Sequence, residues 1–484
     1  MDHQSRFTAP LPRVKAALLG SALALSLGGC AQFPSLDQLV RLKPMSDYQT
    51  TSSLSGPAST WPNERWWQTY RDPQLDALID EALRDSPDMA AASARLRRAE
   101  AFSQISGAAL LPQVSANASA SEQKQSYNHL IPQAALPQGW QDYGQATINF
   151  NWELDFWGKN HAALASATSQ LEASRAELAQ ARLSLAAAIA TSYAELARLY
   201  AIQDTVAQST EVRSKTVALF GKRFANGLET RGSLSEAKAR LAGTEGELLM
   251  IDEQISLQRN RLAALLGAGP DRGLLIQRPT VNLNDPFGLP AELAANLLGR
   301  RPDVVAARLQ AEAQAYRINQ KKAEFYPNIN LSAFIGVQAL GLNMLNKSGS
   351  DFGGVGPAIS LPVFTAGRLQ GELRGTVATY EETVANYNRT VIQALQEVAS
   401  AGLSQKALAG QLRKAEEALE AAGEAHRVAR NRYEGGLATY LEVLYAEDTF
   451  LSNQRNLTSL QTRAFALDIA LKRALGGGYE HHTI

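Results

Sequence analysis

The stretch from Arg223 to Gly267 occurs twice, and that duplication limits the fold more than any other feature of the chain. Arg223, Phe224, Gly227, Leu228, Thr230, Ala237 and Gly267 recur as Arg432, Tyr433, Gly436, Leu437, Thr439, Ala446 and Gly476, every pair 209 residues apart. Upstream, Pro87, Asp88 and Pro112 return as Pro302, Asp303 and Pro327, 215 residues on. A unit of roughly 200 residues is far longer than a solenoid repeat of about 20 to 50. Two structural halves of one fold are expected, at residues 61–268 and 302–476, joined by a connecting segment at 269–301 and followed by a tail at 477–484.

Each half changes period twice. Asp72-Pro73 opens a short amphipathic helix, and a second helix runs from Pro87 to about Leu111, where Pro112 stops it. Its copy runs from Pro302 to Tyr326. After each proline the apolar period falls from 3.6 to 2: Val114, Ala116 and Ala118 alternate with Ser115, Asn117 and Ser119. Strands are predicted at about 113–123 and 145–155, and at about 328–338 and 353–363.

Long helices follow. Lys159 to Phe220 contains no proline or glycine, and Leu164, Leu171, Leu178 and Leu185 recur every seven residues, a coiled-coil spacing. From Gln370 the matching seam is Leu373, Val377, Tyr380, Val384, Tyr387, Val391, Leu395 and Val398. A helix of roughly 60 residues is about 90 Å long. Asn226-Gly227 and Gly435-Gly436 are helix stops of the left-handed kind, and Thr230 and Thr439 are N-caps for returning helices. Each rod therefore turns back at a tip, near 227 and near 436. The returning helices are shorter, so the helices after Pro87 and Pro302 are expected to stack end to end with them.

The N-terminus adds a location. Arg6, Arg13 and Lys15 precede an apolar run from Ala16 to Leu27, too short for a bilayer span, and Leu27-Gly28-Gly29-Cys30 resembles the bacterial lipobox. Residues 1–29 are expected to be a lipoprotein signal peptide, Cys30 the acylated (palmitoylated) N-terminus, and residues 30–60, rich in Ser, Thr and Pro, an extended lipid-anchored tether. Ala31 stands where an inner-membrane retention signal would place Asp, which in a Gram-negative host points to the outer membrane.

Several function classes drop out. Lys plus Arg equals Asp plus Glu at 47 each, so no basic field recruits nucleic acid. Cys30 is the single cysteine, excluding a disulfide framework and a thiolate metal site. The histidines are scattered, with no metal-ligand spacing and no catalytic arrangement; His481-His482 forms a terminal tail. The glycine clusters near 353 and 476 do not open a helix as a phosphate loop would. No enzyme activity, catalytic residue, metal or cofactor is expected.

What remains is a contradiction that only assembly resolves. The chain after the signal lacks an apolar run of about 18 residues, yet it carries a membrane anchor and four strands of roughly bilayer-crossing length. Four strands cannot close a membrane barrel, and open sheet edges are not tolerated in lipid. Several chains must share one barrel. A lipid-anchored periplasmic coiled-coil scaffold without a channel is the alternative, but it leaves the alternating strands unexplained.

Five segments in order carry a family resemblance: Trp66 to Ile79, Trp152-Glu153-Leu154-Asp155-Phe156-Trp157-Gly158, Arg300-Arg301-Pro302-Asp303-Val304, Leu361-Pro362-Val363-Phe364 with Ala366-Gly367-Arg368, and Ala474-Leu475-Gly476-Gly477-Gly478. Together they resemble the outer membrane factor family, the TolC-like channels of tripartite efflux systems, in its lipoprotein branch of the OprM and NodT type. The resemblance implies a mainly α chain with a membrane β-barrel: a homotrimer sharing a 12-stranded barrel and a 12-helix periplasmic tunnel. It also implies a passive exit duct for drugs or other small molecules, fed by a periplasmic membrane-fusion adaptor and an inner-membrane resistance-nodulation-division transporter. Gly227, Leu228 and Thr230, with Gly436, Leu437 and Thr439, match the family's adaptor-docking, pore-closing tips. Glu442 falls where an acidic residue lines the family's pore entrance, although Thr439 and Glu442 also form a capping box. Tyr433 and Tyr445 complete the candidate constriction, while Tyr445, Ser233 and Ala438 depart from the family's acidic and basic gate positions. Trp152, Phe156 and Trp157 belong either to an interfacial aromatic girdle or to a packed strand-to-helix junction, and Arg301 and Asp303 are expected to pair.

Overall fold

The computed structural model describes residues 39–50, 52–54, 57–128, 133–281, 289–290 and 293–481. Cys30, the signal segment and most of the residues up to Leu39 lie outside that range, as does His482. In chain order the elements are β1 (Ala58–Ser59), α1 (Pro73–Asp85), α2 (Pro87–Ala108), β2 (Gln113–Gln123), β3 (Gln141–Glu153), α3 (Lys159–Ala225), α4 (Arg231–Leu265), α5 (Pro270–Leu274), β4 (Leu289–Pro290), α6 (Leu293–Arg300), α7 (Pro302–Ala323), β5 (Asn328–Leu340), β6 (Asp351–Ser360), α8 (Arg368–Glu434) and α9 (Tyr440–Ala474). The outgoing helices α3 and α8 have 67 residues each and the returning helices α4 and α9 have 35 each. The chain divides into two compact units, one built on Arg98–Leu171 and Leu309–Ala385, the other on Leu42–Arg97, Glu172–Arg308 and the chain from Asn386 onward.

The first unit is built on one antiparallel sheet in the order β2-β3-β5-β6. The register pairs Ala116 with Ile148, Ile148 with Ile335 and Ala333 with Val355. Because side chains alternate across a strand, this register collects Val114, Ile148, Phe150, Ile335, Val355 and Ile359 on one face. The opposite face takes Ser115, Asn117, Thr147, Asn149, Asn151 and Ser332. β3 begins four residues earlier than the alternation suggests and stops at Glu153. Beyond it, Asp155 turns away to accept the His161 backbone N–H at 2.8 Å and cap α3. Below the sheet, Ile318, Phe325, Leu369 and Leu373 form a small core.

At the same junction Trp157 stacks on Tyr326, ring centroids 4.7 Å apart, and donates its indole N–H to the Pro327 carbonyl at 2.7 Å. Trp152 donates to the Leu110 carbonyl at 3.0 Å. These two tryptophans thus tie strand ends to the turns at Leu110 and Pro327, whereas Phe156 is exposed. α2 ends at Ala108, three residues before the expected stop, because Leu110 and Leu111 close tight turns onto Gly107 and Ala108 ahead of Pro112.

The second unit holds the larger cores. Trp66, Tyr70, Leu75, Leu78 and Ile79 pack against Ile189, Tyr193 and Leu196 of α3, Leu262 of α4 and Phe465 of α9. Asp72, buried, caps α1 by accepting the N–H groups of Gln74 (2.9 Å) and Leu75 (3.3 Å). Its other oxygen accepts the Tyr193 hydroxyl at 2.8 Å and the Thr280 N–H at 2.9 Å, so one carboxylate joins α1, α3 and the segment after α5. A second core joins Leu297, Val304, Tyr387, Val391, Val398 and Leu475.

Two sequence expectations shift in detail. Along α3 the buried line is alanine-rich (Ala173, Ala176, Ala186, Ala187, Ala190, Ala194) and only Leu185 of the leucine heptad is buried. The segment before Trp61 is not a free tether over its whole length. Leu42, Met45, Tyr48 and Leu54 pack on the second core, and β1 pairs in parallel with β4.

Gly267 and its counterpart Gly476 share one steric reason for being glycine. Gly267 has φ +77°, and a Cβ there would meet Pro87 Cδ at 2.8 Å; Gly476 has φ +87°, and a Cβ there would run into the Arg300 carbonyl. In each half the returning helix therefore ends against the start of the Pro87 or Pro302 helix, at a spacing that only glycine permits.

Candidate functional site

Each tip is a helix stop followed by a cap. Gly227 and Gly436 have φ +72° and +76°. The Leu228 N–H reaches back to the Arg223 carbonyl at 2.9 Å, and the Leu437 N–H to that of Arg432 at 2.7 Å. These are the long closing bonds of Schellman stops. Thr230 then caps α4, its hydroxyl accepting the Ser233 N–H at 3.1 Å. Leu228 and Leu437 stand exposed at the two ends.

The caps differ in where their carboxylate comes from. In the second tip Glu442, three residues after the cap, accepts the Thr439 N–H at 3.1 Å and faces Arg432 at 3.5 Å. That N–H, with Arg432 and the Thr439 hydroxyl adding to it, holds the Glu442 carboxyl below its ordinary range. In the first tip the equivalent position is Ser233, and Glu229, one residue before the cap, takes over. One Glu229 oxygen accepts the Thr230 N–H (2.9 Å) and the Ser233 hydroxyl (2.7 Å), and the other accepts the Tyr433 hydroxyl. Burial pushes Glu229 upward, but the donors from Tyr433, Ser233 and Thr230, with Arg223 nearby, outweigh it and hold the carboxyl low.

Tyr433 is therefore not a surface residue. It is 3% exposed, packs with Phe220, Ala237, Val443 and Leu444, and carries the Arg223 guanidinium 4.5 Å above its ring. Burial first, then Glu229, raises its hydroxyl pKa. This corrects its expected place in a constriction: an aromatic ring filling the space between two hairpins cannot also line a pore. Tyr445, one turn beyond Glu442, is 70% exposed, so of the three candidates Glu442 and Tyr445 face outward.

Periodicity missed Glu229, whose partner is 204 residues away. The available signal was the missing carboxylate at Ser233 beside an unexplained Glu-Thr pair. It also missed an ionic cluster farther up the hairpins. There Arg213 of α3 and Arg240 of α4 both pair with Asp448 of α9, and the buried Glu447 accepts the Thr216 hydroxyl at 2.7 Å. Among the described residues no group of three or more His, Cys, Asp or Glu side chains could hold a metal ion.

The sheet, in the other unit, is a separate candidate surface. On its apolar face Val114, Ile148, Ile335, Val355 and Ile359 are 54 to 78% exposed, which no aqueous surface of a stable fold would present as one contiguous patch. Among the described residues the outer edges of β2 and β6 have no partner strand. No helix among the described residues is long and apolar enough to cross a membrane.

A sequence profile described as outer membrane efflux protein matches residues 78–268 and 293–477. The multidrug resistance outer membrane protein MdtP of Escherichia coli strain K12 is 31% identical over 479 residues, 96% of each chain. The fusaric acid resistance protein FusA of Burkholderia cepacia is 35% identical over 376 residues, 75% of this chain and 69% of its own. Among solved structures, the outer membrane protein VceC of Vibrio cholerae superposes with a TM-score of 0.83 at 51% identity, over 87% of this chain and 100% of that one. The open state of the MtrE outer membrane channel of Neisseria gonorrhoeae superposes with a TM-score of 0.76 at 25% identity, over 93% and 98%.

Proposed function

The chain belongs to the outer membrane efflux protein family, and from that membership we propose its assembly, its docking end and its anchor. It is an outer-membrane efflux channel that extends into the periplasm and works in a tripartite system with an adaptor and an inner-membrane transporter. The observation that carries the assembly is the two-faced sheet whose outer edges have no partner strand among the described residues. Unpaired backbone donors and acceptors in hydrocarbon cost several kcal/mol each, so an apolar-faced sheet enters lipid only as part of a closed barrel. Three copies joining β2 to β6 close twelve strands, with the Asn, Ser and Thr face around water and the Ile and Val face toward lipid.

The exposed Leu228 and Leu437, each set by its glycine stop and threonine cap (Gly227 with Thr230, Gly436 with Thr439), supply the apolar docking points for a periplasmic membrane-fusion adaptor. Glu442 and Tyr445 supply the constriction. A resistance-nodulation-division transporter in the inner membrane supplies the energy, and Cys30 carries the acyl anchor in the outer-membrane lipid. MdtP and FusA are named for multidrug and fusaric acid resistance; drugs or other small molecules are the corresponding cargo class here.

Planar-bilayer recording tests the duct. Purified protein should insert as discrete conductance steps, larger when the Glu442→Ala and Tyr445→Ala substitutions are combined. Insertion without conductance in both forms contradicts a duct, and an unchanged step in the double variant removes these two residues from the constriction.

A further inference from the structure

The ten residues between β5 and β6, Gly341 to Ser350, form a short loop with an unusual composition and an unusual direction. Leu342, Met344 and Leu345 crowd its first half, where a loop exposed to water would be polar. The loop is held by one internal bond and by bonds to two strands: the Ser350 hydroxyl donates to the Met344 carbonyl at 2.8 Å, the Gly341 N–H to the Asp142 carbonyl of β3 at 2.6 Å, and the Gln338 N–H of β5 to the Ser350 carbonyl at 2.8 Å.

Its direction follows from Gly144. That residue lies on β3 in phase with Ala146, Ile148 and Phe150, so its missing side chain would point out of the apolar face. A Cβ on Gly144 would come within 2.6 Å of Leu345 and 2.7 Å of Leu342. The loop thus folds back over the outside of the sheet and not across the polar face. Only a glycine lets it lie so close. Leu342 and Met344 nevertheless remain 43 and 44% exposed, so the strand covers only part of the apolar surface the loop carries.

The length of β3 sets the height of the loop. From Trp152, near the end of β3, to Gly144 a strand rises about 27 Å, which at the usual barrel tilt is about 20 Å along the membrane normal, less than the height of about 25 Å of an apolar band. We propose that the Gly341–Ser350 loop is a lipid-facing surface, seated by Leu342 and Leu345 on Gly144 and presenting Met344 to the acyl chains of the outer leaflet. The occupant is lipid because the patch continues the apolar face formed by Ile148, Ile335 and Val355. A consequence is that this loop does not cover the channel mouth. The inference rests on the closed-barrel reading, and its test separates the two.

The chain has one native cysteine, Cys30, so the wild type sets the labelling background. Met344→Cys, Val355→Cys and Asn149→Cys would each be nitroxide-labelled in protein reconstituted into liposomes, and the accessibility of the label to oxygen compared with that to a water-soluble nickel chelate. The expected result is an oxygen-to-nickel ratio at Met344 and Val355 several-fold above that at Asn149. A high ratio at Val355 with a Met344 ratio equal to that of Asn149 overturns the loop assignment alone. A Val355 ratio equal to that of Asn149 overturns the barrel reading and the loop assignment with it. Leu342→Cys repeats the loop measurement should the Met344 variant fail to assemble.

Discussion

The Tyr433 hydroxyl donates to the Glu229 carboxylate, and this bond joins the tip of the second hairpin to that of the first. Its two residues have different duties. Tyr433 fills the tip core with Phe220 and Leu444, while Glu229 also closes the cap of α4. A single carboxylate thereby couples the end of one helix to the position of the other hairpin.

Tyr433→Phe keeps the packing and removes the donor to a charged acceptor, a change worth about 1.5 to 3 kcal/mol where the group is shielded and less at a half-exposed tip. The expected outcome is a modest loss of tip order, read as faster hydrogen exchange at the N-terminal turn of α4, with global stability nearly unchanged. Tyr433→Ala adds a cavity and should cost about 3 kcal/mol or more in thermal unfolding.

The same bond sets a pH dependence. Glu229 has a lower pKa folded than unfolded, so its contribution is fully present above the ordinary glutamate value of about 4.3 and is lost as pH falls through the lower, folded value. Tip protection, taken relative to the intrinsic exchange rate at each pH, should stay flat from pH 7 down to about pH 4.5 and then fall. In Glu229→Gln that fall should disappear, leaving tip protection low at every pH.

Asp72 offers a sharper stability test. It is buried and accepts from Gln74, Leu75, Tyr193 and Thr280 at once. Asp72→Ala loses a cap worth about 1 kcal/mol and strands two further donors, for a total of about 3 kcal/mol. Asp72→Asn keeps one acceptor and should recover only the cap. Thermal unfolding of the two variants separates these parts.

Positive-φ glycines divide into two groups. At Gly227 a Cβ would stand in open space, so Gly227→Ala meets only the left-handed backbone cost of about 1 to 2 kcal/mol. At Gly476 the same methyl would strike the Arg300 carbonyl, and Gly476→Ala should be clearly more destabilising. Equal losses in the two variants would contradict the end-to-end abutment.

Arg301 is placed where removal leaves charges stranded. Its guanidinium bonds Asp303 at 2.6 Å, Glu397 at 2.7 Å and the Ala474 carbonyl at 3.2 Å, with its side chain 7% exposed. Arg301→Ala should cost about 3 to 5 kcal/mol. Arg301→Lys should recover part of this, because an ammonium cannot reproduce the forked geometry. Denaturant unfolding of the purified protein reads both.

These residues also show which parts of the fold sequence can express. Local chemistry was legible: Pro112 and Pro327 mark the switch from helix to strand, Gly227 and Gly436 the tips, and the alternation around Asn149 the two faces of the sheet. Arg301 and Asp303 were legible as a pair because they lie two residues apart. Tyr433 was misplaced because its burial depends on Phe220 and Glu229, which belong to the other hairpin. The leucine heptad of α3 misled for a related reason. Packing against several helices at once favours close approach, which alanine allows and leucine hinders, so the buried line follows Ala186 and Ala190. The outward turn of the loop after β5 had no sequence signal until the register placed Gly144 on the apolar face.

The proposed sharing of one barrel by three chains fixes the stoichiometry of the particle, and the native mass of the protein extracted from outer membranes in detergent reads it. Three protomers per particle, persisting on dilution, is the predicted result. A stable single chain in detergent, with β2 and β6 still unpaired, would contradict it.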